Sequence, residues 1–281
     1  MIPIQLYLDL LKKTVAFSLW EQPPIPIMTY ECAPSLWDNR ATFEKTGDPS
    51  LLARYCQHQC LVAFQKGMKY LDKKQNIRML KTDLWTEGVR REREVLNHAL
   101  RWARNQHYFV KAVGMDISGV ACQKAGTYTR AQLVQADIRS LPYADESFDM
   151  ILDVSTIDHI PLEEAAAVIQ DYWICLKEHG VLVLIFAHQK GTLDNKDMGD
   201  EYYCFPIRDM KMHLGHCGFA IKEEYAIHSL NTRPMAYLMS SKLKLAQLDH
   251  ISKGMAQFIE YSPVSKHLLR IAPLYVVIAR K

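Results

Sequence analysis

From Ile77 to the end of the chain, short apolar runs alternate with helix-length segments, and two of the first four runs stop just before an aspartate. Ile77–Leu80 reads as a first strand. Phe109–Met115 is a second, ending at Asp116. Leu133–Ala136 is a third, ending at Asp137. Phe148–Val154 is a fourth and Val181–Phe186 a fifth. Short runs that are mostly apolar, wholly so at Val181–Phe186, are buried on both faces, as parallel strands are when helices cover both sides of a sheet. Phe219–Ile227 and Leu274–Ala279 add two more strands. The pattern predicts a Rossmann-like α/β fold: a mostly parallel seven-stranded sheet with helices on both faces.

The intervening segments fill in the helices. Gly88–Asn105 and Leu162–Leu176 have helical length and spacing, and Gly180 stands where a helix stop is expected before the fifth strand. Upstream, Ser50–Leu71 reads as a helix. Leu6 to Trp20 recurs with helical spacing, and Gln22-Pro-Pro-Ile-Pro-Ile27 then enforces an extended connector. Residues 1–75 are therefore assigned to a helical extension and 76–281 to the sheet domain. Arg233 to His267 reads as a further helical stretch, with Arg233, Lys242 and Lys244 near an acceptor pocket.

Composition narrows the class. The net charge is only +3 over 281 residues, and no basic run stands out, which argues against a nucleic-acid partner. Arg90, Arg91 and Arg93, interleaved with Glu87, Glu92 and Glu94, read as a solvated helix face. Seven cysteines at irregular spacing, with no apolar leader, suggest reduced thiols in a cytoplasmic protein. No apolar run approaches the roughly 18 residues of a membrane span. Cys56 and Cys60 share a helix face around His58, and His213, His216 and Cys217 cluster, but neither set has the tight turns of a structural zinc site, so no metal is expected.

In open parallel sheets ligands lie beyond the carboxyl ends of the strands. A carboxylate at the tip of the second strand suits a vicinal diol, having two oxygens to accept two hydroxyls; helix capping by Asp116 or Ser118 is the competing use. Asp137 can accept from an exocyclic amine and Ile138 can lie on a ring face.

Four stretches in order, Gly114-Met-Asp116-Ile-Ser, Ala136-Asp137-Ile-Arg-Ser-Leu-Pro-Tyr143, Ser147-Phe-Asp-Met-Ile-Leu152 and Leu176-Lys-Glu-His-Gly-Val-Leu182, resemble the class I S-adenosylmethionine-dependent methyltransferases. The resemblance implies that fold and S-adenosylmethionine as cofactor. It places the ribose on Asp116 and Ile117, the adenine on Asp137 and Ile138, the methionine end near Ser155, and the acceptor near Asp158 and His159. The first motif departs from the family. Where an acid and a glycine-rich loop are expected stands Met79-Leu-Lys81-Thr82-Asp83-Leu-Trp85-Thr86-Glu87-Gly88. Side chains with a Cβ take positive φ only at a cost, so the loop must be rebuilt. Lys81, Thr82, Asp83 and Glu87 would then border the cofactor tail, Lys81 attracting its carboxylate and Asp83 repelling it. A variant branch of the family carries this Lys-Thr-Asp-Leu pattern. Leu6 to Thr14 also resembles the opening helix of macrocin-type sugar O-methyltransferases, without that family's metal-binding aspartates.

The expected function is O-methylation of a small polar or sugar/glycan-type acceptor. His159 would be the base, because its ordinary pKa lies near neutrality, with Asp158 orienting it. A degenerate methyltransferase fold that binds a ligand or partner without chemistry is the alternative. A dinucleotide oxidoreductase would need a glycine-rich first turn that is missing. A homodimer is left open.

Overall fold

The computed structural model describes residues 33–44, 51–72, 75–188, 203–227 and 274–281. The first helix (Leu6 to Trp20) with its proline connector, and the Arg233–His267 stretch, lie outside the described residues. Helices α1 (Ala33–Phe43) and α2 (Leu51–Met68) precede the sheet. Then follow β1 (Ile77–Lys81), a single helical turn α3 (Trp85–Gly88), α4 (Leu96–Asn105), β2 (Val110–Asp116), α5 (Gly119–Gly126), β3 (Gln132–Gln135), β4 (Phe148–Val154), α6 (Ala165–Cys175), β5 (Leu176–Ala187), α7 (Ile207–His216), β6 (Ala220–Ile227) and β7 (Leu274–Arg280).

The seven strands form one sheet in the order β3-β2-β1-β4-β5-β7-β6. The pairs through β5 are parallel; β7 runs antiparallel to both β5 and β6. Chain order reverses direction across the sheet between β1 and β4, which makes their carboxyl ends a topological switch point. Central strands are apolar on both faces because each face carries helices. Val181 through Phe186 are fully buried, each contributing about 1.5–3 kcal/mol. One apolar cluster gathers α2 and α4 with Met79, Met150 and Val183; the other gathers α6 and α7 with Leu80, Ile151 and Leu182. Cys60, Ala63, Phe64 and Met68 of α2 are buried in the first cluster, so this helix, although it precedes residue 76, packs as part of the sheet's own core.

Two expected helical details are corrected. Gly88–Asn105 is not one helix: α3 ends at Gly88, a 3-10 turn occupies Arg91–Arg93, and α4 starts at Leu96. The charged stretch there is a solvated face only in part, at exposed Arg91. Glu87 is buried, Arg90 pairs with Glu44 at 2.6 Å, and the Arg91 guanidinium lies 3.3 Å from the centre of the Tyr128 ring. Helix α6 stops at Cys175 and β5 begins at once, so Gly180 is not a helix stop. The left-handed residue of that stretch is His179, at φ 65°. The β4–β5 register shifts opposite Phe148 and Met150, which absorbs the extra residues as a bulge.

Candidate active site

The polar strand ends converge around the switch point, and each is held by bonds the local sequence dictates. After β1, Lys81 points inward and is fully buried. Its Nζ meets the Asp83 carbonyl at 2.8 Å, Asp83 Oδ2 at 2.5 Å and Glu87 Oε2 at 3.1 Å. An ammonium has three N–H donors, and all three are used. Burial alone would push Lys81 down, but the two carboxylates more than reverse that and hold it above the ordinary lysine value. Glu87 is also saturated. Its Oε1 accepts the Val95 and Leu96 amides at the start of α4 (3.2 and 2.9 Å), and Oε2 accepts the Thr86 hydroxyl. The expectation that Lys81 meets the cofactor's carboxylate is thereby corrected: it is an internal counter-ion with no donor left over.

The missing glycines are accommodated by avoiding the conformations that need them. No residue from Thr82 to Arg90 has positive φ. The chain turns instead into α3, and Leu84 folds down over the end of β2. A Cβ on Gly114 would lie 2.5 Å from Leu84 Cδ2. At Gly88 a Cβ would lie 2.5 Å from the Ala121 carbonyl oxygen of α5, so only glycine lets α3 seat against that helix.

At the tip of β2, Asp116 is 7% exposed. Its Oδ2 accepts the Leu84 amide (2.9 Å) and its Oδ1 the Ser118 amide (2.8 Å). Ser118, not Asp116, caps α5, its hydroxyl accepting the Ala121 amide. Burial pushes the Asp116 carboxyl up to about 7, the two amides only partly offsetting it. A carboxylate offers about four acceptor positions; two are filled, so two further donors such as a diol would relieve the burial cost. Ile117 is half-buried beside it, its carbonyl accepting Gln135 Nε2 at 3.1 Å.

Asp137 lies two residues past Gln135, which pairs with Asp116 in the sheet. The two carboxylates therefore leave neighbouring strands at the same edge. Asp137 is forked by Arg139, whose Nε reaches Oδ2 at 2.9 Å and whose Nη2 also meets Oδ2. It keeps 27% side-chain exposure. The Ile138 side chain is buried in the cluster that holds Val113 and Met115, so it is core as placed here.

After β4 the turn is strained. Ser155 adopts φ 60°, a conformation costly for a residue with a Cβ. Two buried aspartates hold the turn, one of which sequence reading missed. Asp153 Oδ1 accepts the Thr156 amide at 2.8 Å and Oδ2 the Tyr172 hydroxyl at 2.7 Å. Asp158 Oδ1 accepts the Ala187 amide at the end of β5, at 2.8 Å. Burial raises them to about 6 and about 8 respectively. Buried Thr82 and half-buried Thr156 share a 2.7 Å hydroxyl bond, joining the β1 and β4 ends across the switch point. Asp158 is thus directed to β5, whereas the half-buried His159 lies against the Trp37 ring, 4.8 Å between centroids.

Trp37 and its helix were not foreseen. Trp37 also packs edge-on against Trp85, at 5.4 Å. Asp38 Oδ1 accepts the Ser118 hydroxyl and the Val120 amide at the start of α5 (2.7 and 3.0 Å), and these bonds lower its pKa. Lys124 donates to the Ala41 carbonyl. Helix α1 therefore bridges the loops after β1, β2 and β4. Its sequence signal was slight, because its apolar residues form no stripe. On α2, burial pushes the Cys60 thiol up to about 12. No group of three or more candidate ligands placed to hold a metal occurs among the described residues, and none of their helices is long and apolar enough to cross a membrane.

Residues 95–184 match a methyltransferase domain family. No curated protein matches the chain significantly. Among solved structures, the chain is similar to the cyclase SpnF (15% identity, TM-score 0.56, covering 92% of this chain and 99% of that one). It is also similar to the Haloferax volcanii chain solved with the Trm112 methyltransferase activator (12% identity, TM-score 0.53, 81% and 92% covered). A third is an S-adenosylmethionine-dependent methyltransferase from Mesorhizobium loti (14% identity, TM-score 0.51, 77% and 96% covered). At such identities the likeness is one of fold. The chain therefore has the class I methyltransferase fold, with a matched methyltransferase domain across its middle third.

Proposed function

We propose that the chain binds S-adenosylmethionine at the carboxyl edge of the sheet and methylates a hydroxyl on a small polar or sugar-type acceptor. The supporting observation is the pair of carboxylates, Asp116 and Asp137, leaving adjacent parallel strands beside the switch point, the first of them buried and short of donors. These residues fit the nucleoside: Asp116 would take the ribose hydroxyls and Asp137 the adenine amine, with Ile117 and the backbone of Ile138 alongside. Bound cofactor supplies an electrophilic methyl group for in-line displacement. The chain's own part is alignment and proton removal. His159, half-buried beside Trp37, is the proposed base. Asp158 is a positioning residue: its raised pKa keeps it largely protonated at neutral pH, and its bond to the Ala187 amide fixes the turn that carries His159.

Calorimetric titration with S-adenosylmethionine and S-adenosylhomocysteine tests the cofactor reading. Binding to the wild type that is lost in Asp116→Ala supports it; a folded wild type that binds neither removes it. With a hydroxyl acceptor found from a panel of sugars and phenols, His159→Ala should lower kcat by about a hundredfold or more and leave cofactor affinity unchanged. An unaltered kcat would take His159 out of the mechanism.

A second reading, a fold that binds without methyl transfer, is favoured by the glycine-free loop after β1. The matched family domain begins at residue 95, past that loop, and SpnF, which shares the fold, is a cyclase. The same titration separates the two.

A further inference from the structure

We propose that Asp83 is the receptor for the cofactor's α-ammonium, with Lys81 and Glu87 together replacing the single acid that ends the first strand elsewhere in the family. This rests on the cofactor reading above. The formal charges of Lys81, Asp83 and Glu87 sum to −1, the charge of one carboxylate, so the substitution of lysine for an acid leaves the charge of the loop unchanged. The residual charge resides on Asp83. Glu87 is 1% exposed, and its two oxygens accept two α4 amides, the Thr86 hydroxyl and Lys81. Asp83 keeps 14% side-chain exposure. Its Oδ2 takes Lys81 and its Oδ1 only a long 3.2 Å bond from the Trp85 amide, so acceptor positions remain. Lys81 holds that carboxylate from behind, through both its side chain and its carbonyl. The position is central: the charge of Asp83 is felt by Asp116 at the end of β2 and by Asp153 near the end of β4, raising both. An ammonium arriving there would relieve that repulsion at the switch point.

The test is calorimetry on the full chain with two probes, S-adenosylhomocysteine and methylthioadenosine, which carry the same nucleoside with and without the amino acid tail. Asp83→Asn keeps the shape and the acceptor oxygen but removes the charge. It should weaken S-adenosylhomocysteine about tenfold or more, the loss of a hydrogen bond to a charged group, and leave methylthioadenosine within about twofold. Equal losses for both probes would show a structural role and overturn the assignment, as would no change in either. If Asp83→Asn does not fold, the wild type carries the test through S-adenosylhomocysteine and its deaminated analogue. A preference for the amine of about tenfold supports the proposal and equal affinity overturns it. Binding of neither nucleoside by the wild type removes the cofactor reading and this inference with it. Binding of both with no effect of the amine removes this inference alone.

Discussion

The two loops that flank the switch point solve the same problem by opposite means. The loop after β1 is held by charge. Lys81, Asp83 and Glu87 bond one another beneath a backbone with no left-handed residue, and Leu84 packs over Gly114. The turn after β4 is held by backbone strain. Ser155 is left-handed, and buried aspartates on both sides, their pKa values raised by burial, accept backbone amides that fix it. An ion cluster substitutes for glycines by shaping the chain from inside, and leaves its one net charge on Asp83. The strained turn leaves its neighbours Thr156 and His159 half-buried, Thr156 on Thr82 and His159 against Trp37. Strain of this kind persists only where surrounding bonds over-determine it.

The largest effect should come from removing the counter-ion of the first loop. Lys81→Met leaves two carboxylates without their buried partner and should cost about 3–5 kcal/mol in urea unfolding. Adding Glu87→Gln should recover a large part of that loss, since the pair is coupled. A Lys81→Met chain as stable as the wild type would show that the loop does not depend on charge, and the contrast with the second turn would fail.

The second turn should respond to pH instead. Asp158 is raised to about 8 in the folded chain, against an ordinary value near about 4. Between those values the folded chain holds a proton that the unfolded chain has released. The stabilisation is complete below about pH 4 and is lost as pH rises towards 8, with a slope of at most about 1.4 kcal/mol per pH unit. Asp153 and Asp116 act in the same direction over lower windows. Asp158→Asn is neutral throughout, so denaturation midpoints of variant and wild type should separate between pH 6 and 8, in favour of the variant as pH rises. Parallel curves would mean that Asp158 is ionised in the fold.

The smallest expected effect isolates the strain. Ser155→Gly and Ser155→Ala both lose the hydroxyl, yet only alanine retains the cost of φ 60°. The glycine variant should be more stable by about 1 kcal/mol. Equal stabilities would assign the turn to its side-chain bonds alone.

The strands were legible because their signal is local. Phe148–Val154 has the extent read from its apolar run, and Val181–Phe186 lies wholly within β5. The aspartates after β2 and β3 were legible for the same reason: strand ends place them. The break between α3 and α4 was not, because Glu87 looks like a surface residue until the α4 amides and Lys81 are brought to it from nine or fewer residues on either side. Nor were Trp37, Asp38 and Asp153. Asp153 sits inside a strand, where nothing nearby announces its bonds to Thr156 and Tyr172, and α1 acquires meaning only where it crosses the loops of β1, β2 and β4.

Sequence by itself determined the alternation of strand and helix, hence a covered sheet, and the strand tips at which carboxylates stand. Periodicity and burial are properties of short segments, and they survive translation into a fold without knowledge of partners. Tertiary structure decided which of those polar groups are consumed inside and which keep exposure. Lys81, Glu87 and Asp158 are closed off with the partners the fold places within hydrogen-bonding distance, whereas Asp83 and Asp137 keep part of their side chains exposed and His159 is half-buried. A buried charge must take those partners before it can serve anything else.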